Sequence, residues 1–548
     1  MSGTDAARTA IRPGAAARAY NDRTKYRFVT GPDGALDVVA GTPPDAFPAL
    51  GAQDPANDPG RFKIYQGVET IALPKEPIAS SLTALDTLTA SGREPDGTVI
   101  PDLTVLGRVL QRSSGILKMG THRTGKEIAY RAAGQTGARY HLELYLVTGG
   151  LPGLAAGVYH YGPHDDTLSI LRTGDYRGFV TQAAGNDPAI AQAPAILIVT
   201  SQIWRNAWRY LEHSYKQVFW DMGTLLTNTL AMAASAELPA EVVFGFADPE
   251  IARLLGIDGR DELVSGMMAL GRSSEPQPEA PQITPLSLVQ TPAAADSPRF
   301  PVIEAAYKGT SLSTSQTAAA WRADAADGPL PPPTKPPAGP AIPLRPASSS
   351  DRSLEDVIER RRSNRHYQAE TPLSFEDFST VLSIANGAPP LDVPFPPADV
   401  YLIVNNVEGL EPGAYFFDRT QNTVTLMRSG NLRDTARRLA MDQQYAADAQ
   451  VVMFSMGNLD EIFARYGDRG YRIALFEAAV FCSRMQLAAH ALGLGAVGSG
   501  SPDDELTAFF SPHAAGKDYL FVAVFGVKRK PSDGEHAAAL RFLDDRRA

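Results

Sequence analysis

The sequence holds a single cysteine, Cys482, among 548 residues. One thiol cannot close an internal disulfide, so no disulfide framework supports this fold. Cys482 falls in an apolar stretch, 474–492, and reads as a small buried hydrophobe, with a reactive thiol as the alternative. The nine histidines show no HxxxH, HExxH or His/Cys spacing, which speaks against the common zinc sites. No run of about 18 uncharged apolar residues occurs, so no membrane span is expected. The start of the chain has no continuous apolar core, so no secretory signal is expected. The longest basic block is Arg360-Arg361-Arg362 and the net charge is -10. A nucleic-acid binder needs a basic face to displace counterions, so no nucleic-acid partner is expected. The acidic balance fits a cytoplasmic protein. No GxGxxG follows a strand, so a separate dinucleotide-binding domain is not expected.

What is present is an ordinary globular composition, 44% apolar and 20% charged. Its length allows two to four domains. Two stretches, 275–301 and 328–346, are rich in proline; the second reads as an extended, semi-rigid spacer. Between them, 302–322 can hold one short helix. The chain therefore divides into an N-terminal segment (1–75), a first unit (76–272), a linker with a helical insert (273–346) and a second unit (347–548).

The two units repeat each other. Gly157-Val158-Tyr159-His160-Tyr161 and Leu171-Arg172-Thr173-Gly174 return as Gly413-Ala414-Tyr415-Phe416-Phe417 and Met427-Arg428-Ser429-Gly430, 256 positions later. Arg209-Tyr210, Tyr215-Lys216 and Asp221 return at the same spacing as Arg465-Tyr466, Tyr471-Arg472 and Glu477. Two copies at so long a period indicate a fused pseudo-dimer, not a solenoid. Each copy reads as α+β. Short β-rich runs at 194–200 and 450–455 predict buried strands. The long helices predicted at 215–235 and 471–492 are apolar on most sides and belong at an interface. A closing strand is predicted at 519–527.

Arg361-Arg362-Ser363-Asn364-Arg365-His366-Tyr367 follows a predicted helix, Leu354–Arg360. Guanidinium forks and a hydroxyl at this spacing can converge on one phosphate. A solvated basic helix end is the alternative. This RRSxRxY run resembles the FMN-phosphate motif of the nitroreductase family. The run Gly493-Leu494-Gly495-Ala496-Val497-Gly498-Ser499-Gly500 resembles that family's glycine-rich turn beside the flavin, where backbone N–H groups approach closely. Gly526-Val527-Lys528-Arg529 resembles its final phosphate-binding residues. The resemblance implies FMN held by Arg361, Arg362, Ser363, Arg365, Gly498, Ser499, Gly500, Lys528 and Arg529.

The first unit is similar to the SagB-type dehydrogenases, which act on peptide-derived products. The similarity rests on Tyr20, Lys25-Tyr26, Gly60-Arg61-Phe62-Lys63-Ile64-Tyr65 and the run from Arg131 to Tyr145. The chain departs from that branch at Gly134-Gln135-Thr136 and at His141. The resemblance implies that Gln135, Thr136, Gly137 and Ala138 cover the flavin ring. It also implies two fused nitroreductase-like domains with flavin at their interface.

The halves have lost complementary parts. The first has Thr89-Ala90-Ser91-Gly92-Arg93 opposite the arginine motif, and Glu237-Leu238-Pro239-Ala240-Glu241-Val242-Val243-Phe244-Gly245 opposite the glycine-rich turn. The second has the proline-rich 388–394 in place of 134–145. One intact composite site per chain is expected, with phosphate held by the second half and the ring covered by the first. The branch places a Lys-Tyr pair where Arg209-Tyr210 and Arg465-Tyr466 stand. Arginine stays protonated and cannot accept a proton. Tyr210 or Tyr466 can relay one; alternatively the pairs hold the helix entry in place. The activity implied is hydride transfer from a small-molecule or peptide substrate to flavin N5, with reoxidation by dioxygen. A biosynthetic partner protein is a further expectation. An NAD(P)H-dependent nitro- or quinone-reductase and a flavin-free scaffold are the competing readings.

Overall fold

A computed structural model describes residues 13–30, 36–41, 47–48, 50–51, 54–91, 97–121 and 127–530. Its frame is two seven-stranded antiparallel sheets of matching topology. The first runs, edge to edge, Ala240–Val243, Glu262–Leu270, Ala195–Gln202, Leu142–Thr148, Gly157–Gly162, Thr167–Thr173 and Thr70–Ala72. The second runs Gly495–Ser499, Asp518–Gly526, Val451–Gly457, Asp399–Val404, Gly413–Asp418, Thr423–Ser429 and Ala341–Pro343. Even a bulge repeats, between Val199 and Thr200 and between Ser455 and Met456. The repeat thus carries over from sequence to register. The central strands are buried on both faces, which their continuous apolar runs require.

Each half carries a 22-residue helix, Ser214–Ser235 and Gly470–Ala491. They pack on each other at the junction of the halves. A Cβ added to Gly223 would lie 2.6 Å from the Ala479 Cβ and 2.8 Å from the Phe476 carbonyl. Gly223 and Ala479 are counterparts in the repeat, so this contact sits on the pseudo-twofold axis. Backbone cannot step aside as a flexible side chain can. Gly223→Val is therefore expected to cost about 1–3 kcal/mol, read as a lowered Tm with the flavin-motif residues untouched. Cys482 lies on the second long helix, fully buried, and burial pushes its thiol up.

Two expectations about the linker change. The span predicted to hold one short helix holds two, Pro301–Thr310 and Ser315–Ala326. The extended, semi-rigid spacer expected at 328–346 is docked, and so is the earlier proline-rich stretch, 275–301. Ala341–Pro343 joins the edge of the second sheet, and Val289–Gln290 pairs with Tyr65–Gln66. Backbone groups that pattern reading leaves to water find ladder partners instead. The N-terminal helix Ala15–Arg23 touches both halves. Tyr20 donates to the Glu212 carbonyl at 2.7 Å, and Asn21 accepts from the Tyr471 hydroxyl at 3.1 Å.

Candidate functional site

Three separate motifs of the second half come together. The helix Leu354–Arg360 starts at a Ser353 cap and stops at Arg361, whose backbone turns extended. The chain then runs beside the strand Gly495–Ser499: Ser363 bridges Ala496, and the Asn364 N–H donates to the Ala496 carbonyl at 3.0 Å. It continues beside the chain's last described segment, where Tyr367 bridges Lys528 and the Arg529 N–H donates to the His366 carbonyl at 2.9 Å. A Cβ on Gly495 would meet Asn364 at 2.8 Å and Lys528 at 3.0 Å, so the close approach requires glycine.

Positive charge collects here. His490, on the second long helix, places Nε2 3.0 Å from the Arg362 carbonyl. Burial, then the Arg361 and Lys528 charges, push it down to about 3, so it is neutral at physiological pH. Lys528 is lowered by burial and by Arg352. Arg352 in turn donates to the His490 carbonyl at 2.9 Å. Like charges gathered round a neutral imidazole make a site for an anion. Pattern reading passed over His490 and Arg352. Their only sequence signal is a histidine just before the glycine-rich run and an arginine just before the helix.

The arginines divide their roles. Arg361 reaches the other half: its Nη2 donates to the Ala132 carbonyl at 3.3 Å, and a Cβ on Gly134 would stand 3.2 Å from Nη1. Its Nε is buried without a partner among the described residues. Arg365 lies beside Tyr367 and Tyr445, and Tyr445 donates to Ser499 Oγ at 2.9 Å. Arg362 is exposed and turns back on its own helix end, donating to the Glu359 and Arg361 carbonyls.

The first half supplies the opposing wall. Thr136–Ala138 form a short 3-10 turn with Gly137 at φ 57°. Asp221 fixes this turn, accepting from the Thr136 N–H at 2.9 Å and its hydroxyl at 2.8 Å, with His141 Nε2 also at 2.8 Å. Both polar atoms of the Gln135 side chain are buried and unpartnered among the described residues. Tyr210 packs on the turn: a Cβ on Gly137 would fall 2.3 Å from its hydroxyl. Arg209 stands by its own tyrosine ring, with its Nε buried and without a described partner. Trp220 packs edge-on against Phe521, which borders Gly498, and Tyr26 borders Gly500. The orphaned Gln135 and Arg361 atoms and the cationic cluster fit a bound phosphate joined to a polar ring.

The corresponding place on the other side of the pseudo-twofold is filled by the chain. Leu391 bridges Val242, and Asp392 accepts from the N–H groups of Phe244 at 3.0 Å and Gly245 at 2.7 Å. Arg322 of the linker stands 3.6 Å from the Asp392 carboxylate. Ser91, opposite the arginine motif, accepts from Arg484, while Gly92 and Arg93 lie outside the described residues. Arg465 and Tyr466 are not brought to the cationic cluster. Arg465 donates to the carbonyls of Ala325, Gly328 and Pro329, and Tyr466 donates to the Pro394 carbonyl at 2.5 Å. Both anchor the linker and the proline-rich loop.

A family model, described as the nitroreductase family, matches residues 129–272 and 358–527. A curated Methanocaldococcus jannaschii protein described as a nitroreductase is 29% identical over 157 residues, covering 27% of this chain and 78% of that protein. A crystal structure from Anabaena variabilis, also described as a nitroreductase, covers 95% of this chain and 100% of its own, at 23% identity and a TM-score of 0.73. The Escherichia coli microcin synthetase McbBCD complex covers 37% of this chain and 79% of its own, at 18% identity and a TM-score of only 0.29.

Proposed function

Because this chain belongs to the nitroreductase family, we propose that it is an FMN-dependent oxidoreductase with one working flavin site. We further propose that it oxidises a peptide-derived or natural-product intermediate in the manner of the SagB-type branch. The observation that carries the first reading is the meeting of residues 361–367, 496 and 527–529 around His490, facing 132–138 of the other half. The SagB-type reading is supported by the retained Arg131, Gly137-Ala138, Tyr140 and Glu143, and by the N-terminal segment laid over both halves.

Arg361, Arg365 and Lys528 hold the phosphate through charge-assisted hydrogen bonds. Gly498–Gly500 leave room for the ring, and Gln135 meets its polar edge. A bound FMN would supply the hydride-accepting chemistry, with dioxygen as the terminal oxidant. Tyr210 is the proton relay of the working site, and the Arg209 guanidinium anchors an anionic substrate group. Tyr210→Phe is expected to lower turnover by roughly 100-fold or more with flavin retained. Tyr466→Phe should leave turnover unchanged, since its hydroxyl serves the Pro394 carbonyl. An equal loss in both variants overturns this assignment.

The defining experiment is absorbance of the purified chain near about 450 nm with a flavin count per polypeptide. One FMN per chain is expected, because Leu391 and Asp392 fill the opposite place. Two equal sites, or a colourless protein, refute the reading. Fast bleaching by NADPH without oxygen would instead mark a reductase.

A further inference from the structure

The repeat pairs His213 with Arg469 and Lys216 with Arg472. Asp248 and Asp503, one residue off that spacing, correspond in structure, each the first residue of the helix after the sheet-edge strand. The two resulting clusters are built alike and satisfied very differently. In the filled half, Arg472 donates from Nε to Thr310 Oγ1 at 3.0 Å, from Nη1 to Asp248 at 2.7 Å and from Nη2 to Ser311 Oγ at 3.1 Å. Asp248 also accepts from Arg469 and from the Leu312 N–H. Most of these added partners come from the linker.

At the other cluster the linker supplies no hydrogen bond to Lys216 or Asp503 among the described residues. Lys216 and Asp503 stand 3.6 Å apart, both buried, outside hydrogen-bonding distance. Lys216 Nζ, Asp503 Oδ1, His213 Nε2 and Ser501 Oγ are all buried without a hydrogen-bond partner among the described residues, and beyond its loose ion pair with Asp503 Lys216 Nζ has the Tyr519 ring, 6.0 Å away. Asp503 Oδ2 accepts from the Tyr26 N–H at 2.8 Å, and His213 Nδ1 lies 3.0 Å from the Thr24 carbonyl. Tyr26 stacks on His213 and borders Gly500, so the cluster adjoins the glycine-rich turn. A buried ion pair recovers its desolvation cost only when its remaining donors and acceptors are hydrogen-bonded, and here they are not. Such a cluster in a well-packed junction is built for a third partner.

We propose that Lys216 and Asp503 form a binding site for an amide or imide edge. The chemistry follows from the atoms: an ammonium only donates and a carboxylate only accepts. Their common ligand must offer a carbonyl oxygen beside an N–H. Two sources carry that edge, the imide side of the flavin ring and a peptide group of the substrate. The inference rests on the FMN reading for the first source and is independent of it for the second.

The test uses the full chain, with Asp503→Asn, Lys216→Met and the double variant, which leaves no lone buried charge if a single one fails to fold. In one arm the protein is reconstituted with 15N-labelled FMN and the N3 signal is compared. A shifted N3 resonance and faster N3–H exchange in Asp503→Asn identify the flavin edge. In the other arm acetamide is titrated against intrinsic fluorescence. Saturable binding to the wild type, lost in the double variant with N3 unchanged, identifies a substrate amide. If the variants leave both N3 and acetamide response as in the wild type, the cluster holds water alone and the proposal fails. A protein without flavin would defeat the FMN reading, while the acetamide arm would still decide this one.

Discussion

Replacing Arg361 and Arg365 together with alanine yields a folded, colourless protein. In the proposed site each guanidinium would supply a charge-assisted contact to phosphate, and loss of one such contact costs about 1.5–3 kcal/mol. The pair together is expected to weaken flavin binding by roughly 100- to 30,000-fold. The fold should survive, because Arg361 gives the protein only one long hydrogen bond, to the Ala132 carbonyl at 3.3 Å, and Arg365 is exposed. The variant's circular dichroism and Tm should match those of the wild type stripped of flavin. Removing Arg362 alone should have a small effect, since its donors already serve its own helix end. Retained yellow colour in the double variant would place the phosphate elsewhere.

Replacing Asp248 with alanine is expected to be the most destabilising single change at the junction. Asp248 is fully buried and lies between two buried guanidinia, with Arg469 Nη1 at 2.8 Å and Arg472 Nη1 at 2.7 Å. Its other contact, with the Leu312 N–H at 3.0 Å, ties the linker to the first half. Removing the carboxylate strands two cations without a counter-charge, at a cost of about 3–5 kcal/mol. Asp248→Asn keeps the shape and loses the charge, so it should fall nearly as far. Thermal unfolding followed by fluorescence measures both. A Tm close to wild type for either would mean that linker carbonyls alone hold the two arginines.

Much of the site was legible because its parts are local. An arginine-serine run, a glycine-rich turn and a closing basic pair each lie within a few residues, and each has one ready physical use. The 256-residue spacing was equally legible, and it predicted two matching sheets and two matching long helices. The linker was not. Proline content suggests extension but cannot say that Ala341–Pro343 will find a sheet edge or that Arg465 will hold the Ser315–Ala326 helix by its end.

The sequence by itself determined the duplication, the α+β class and the clustering of basic and glycine-rich motifs in the second half. Each depends on residues close in the chain or repeated at one interval. Only the tertiary structure decided which of two equivalent Arg-Tyr pairs packs on the Thr136–Ala138 turn and which anchors a linker. It alone placed His490 among three cations and left Lys216 short of partners while saturating Arg472. The physical reason is common to all of these. Two near-identical segments have near-identical local preferences, so their difference lies in what distant chain packs against them, and burial and pairing exist only once that chain is in place.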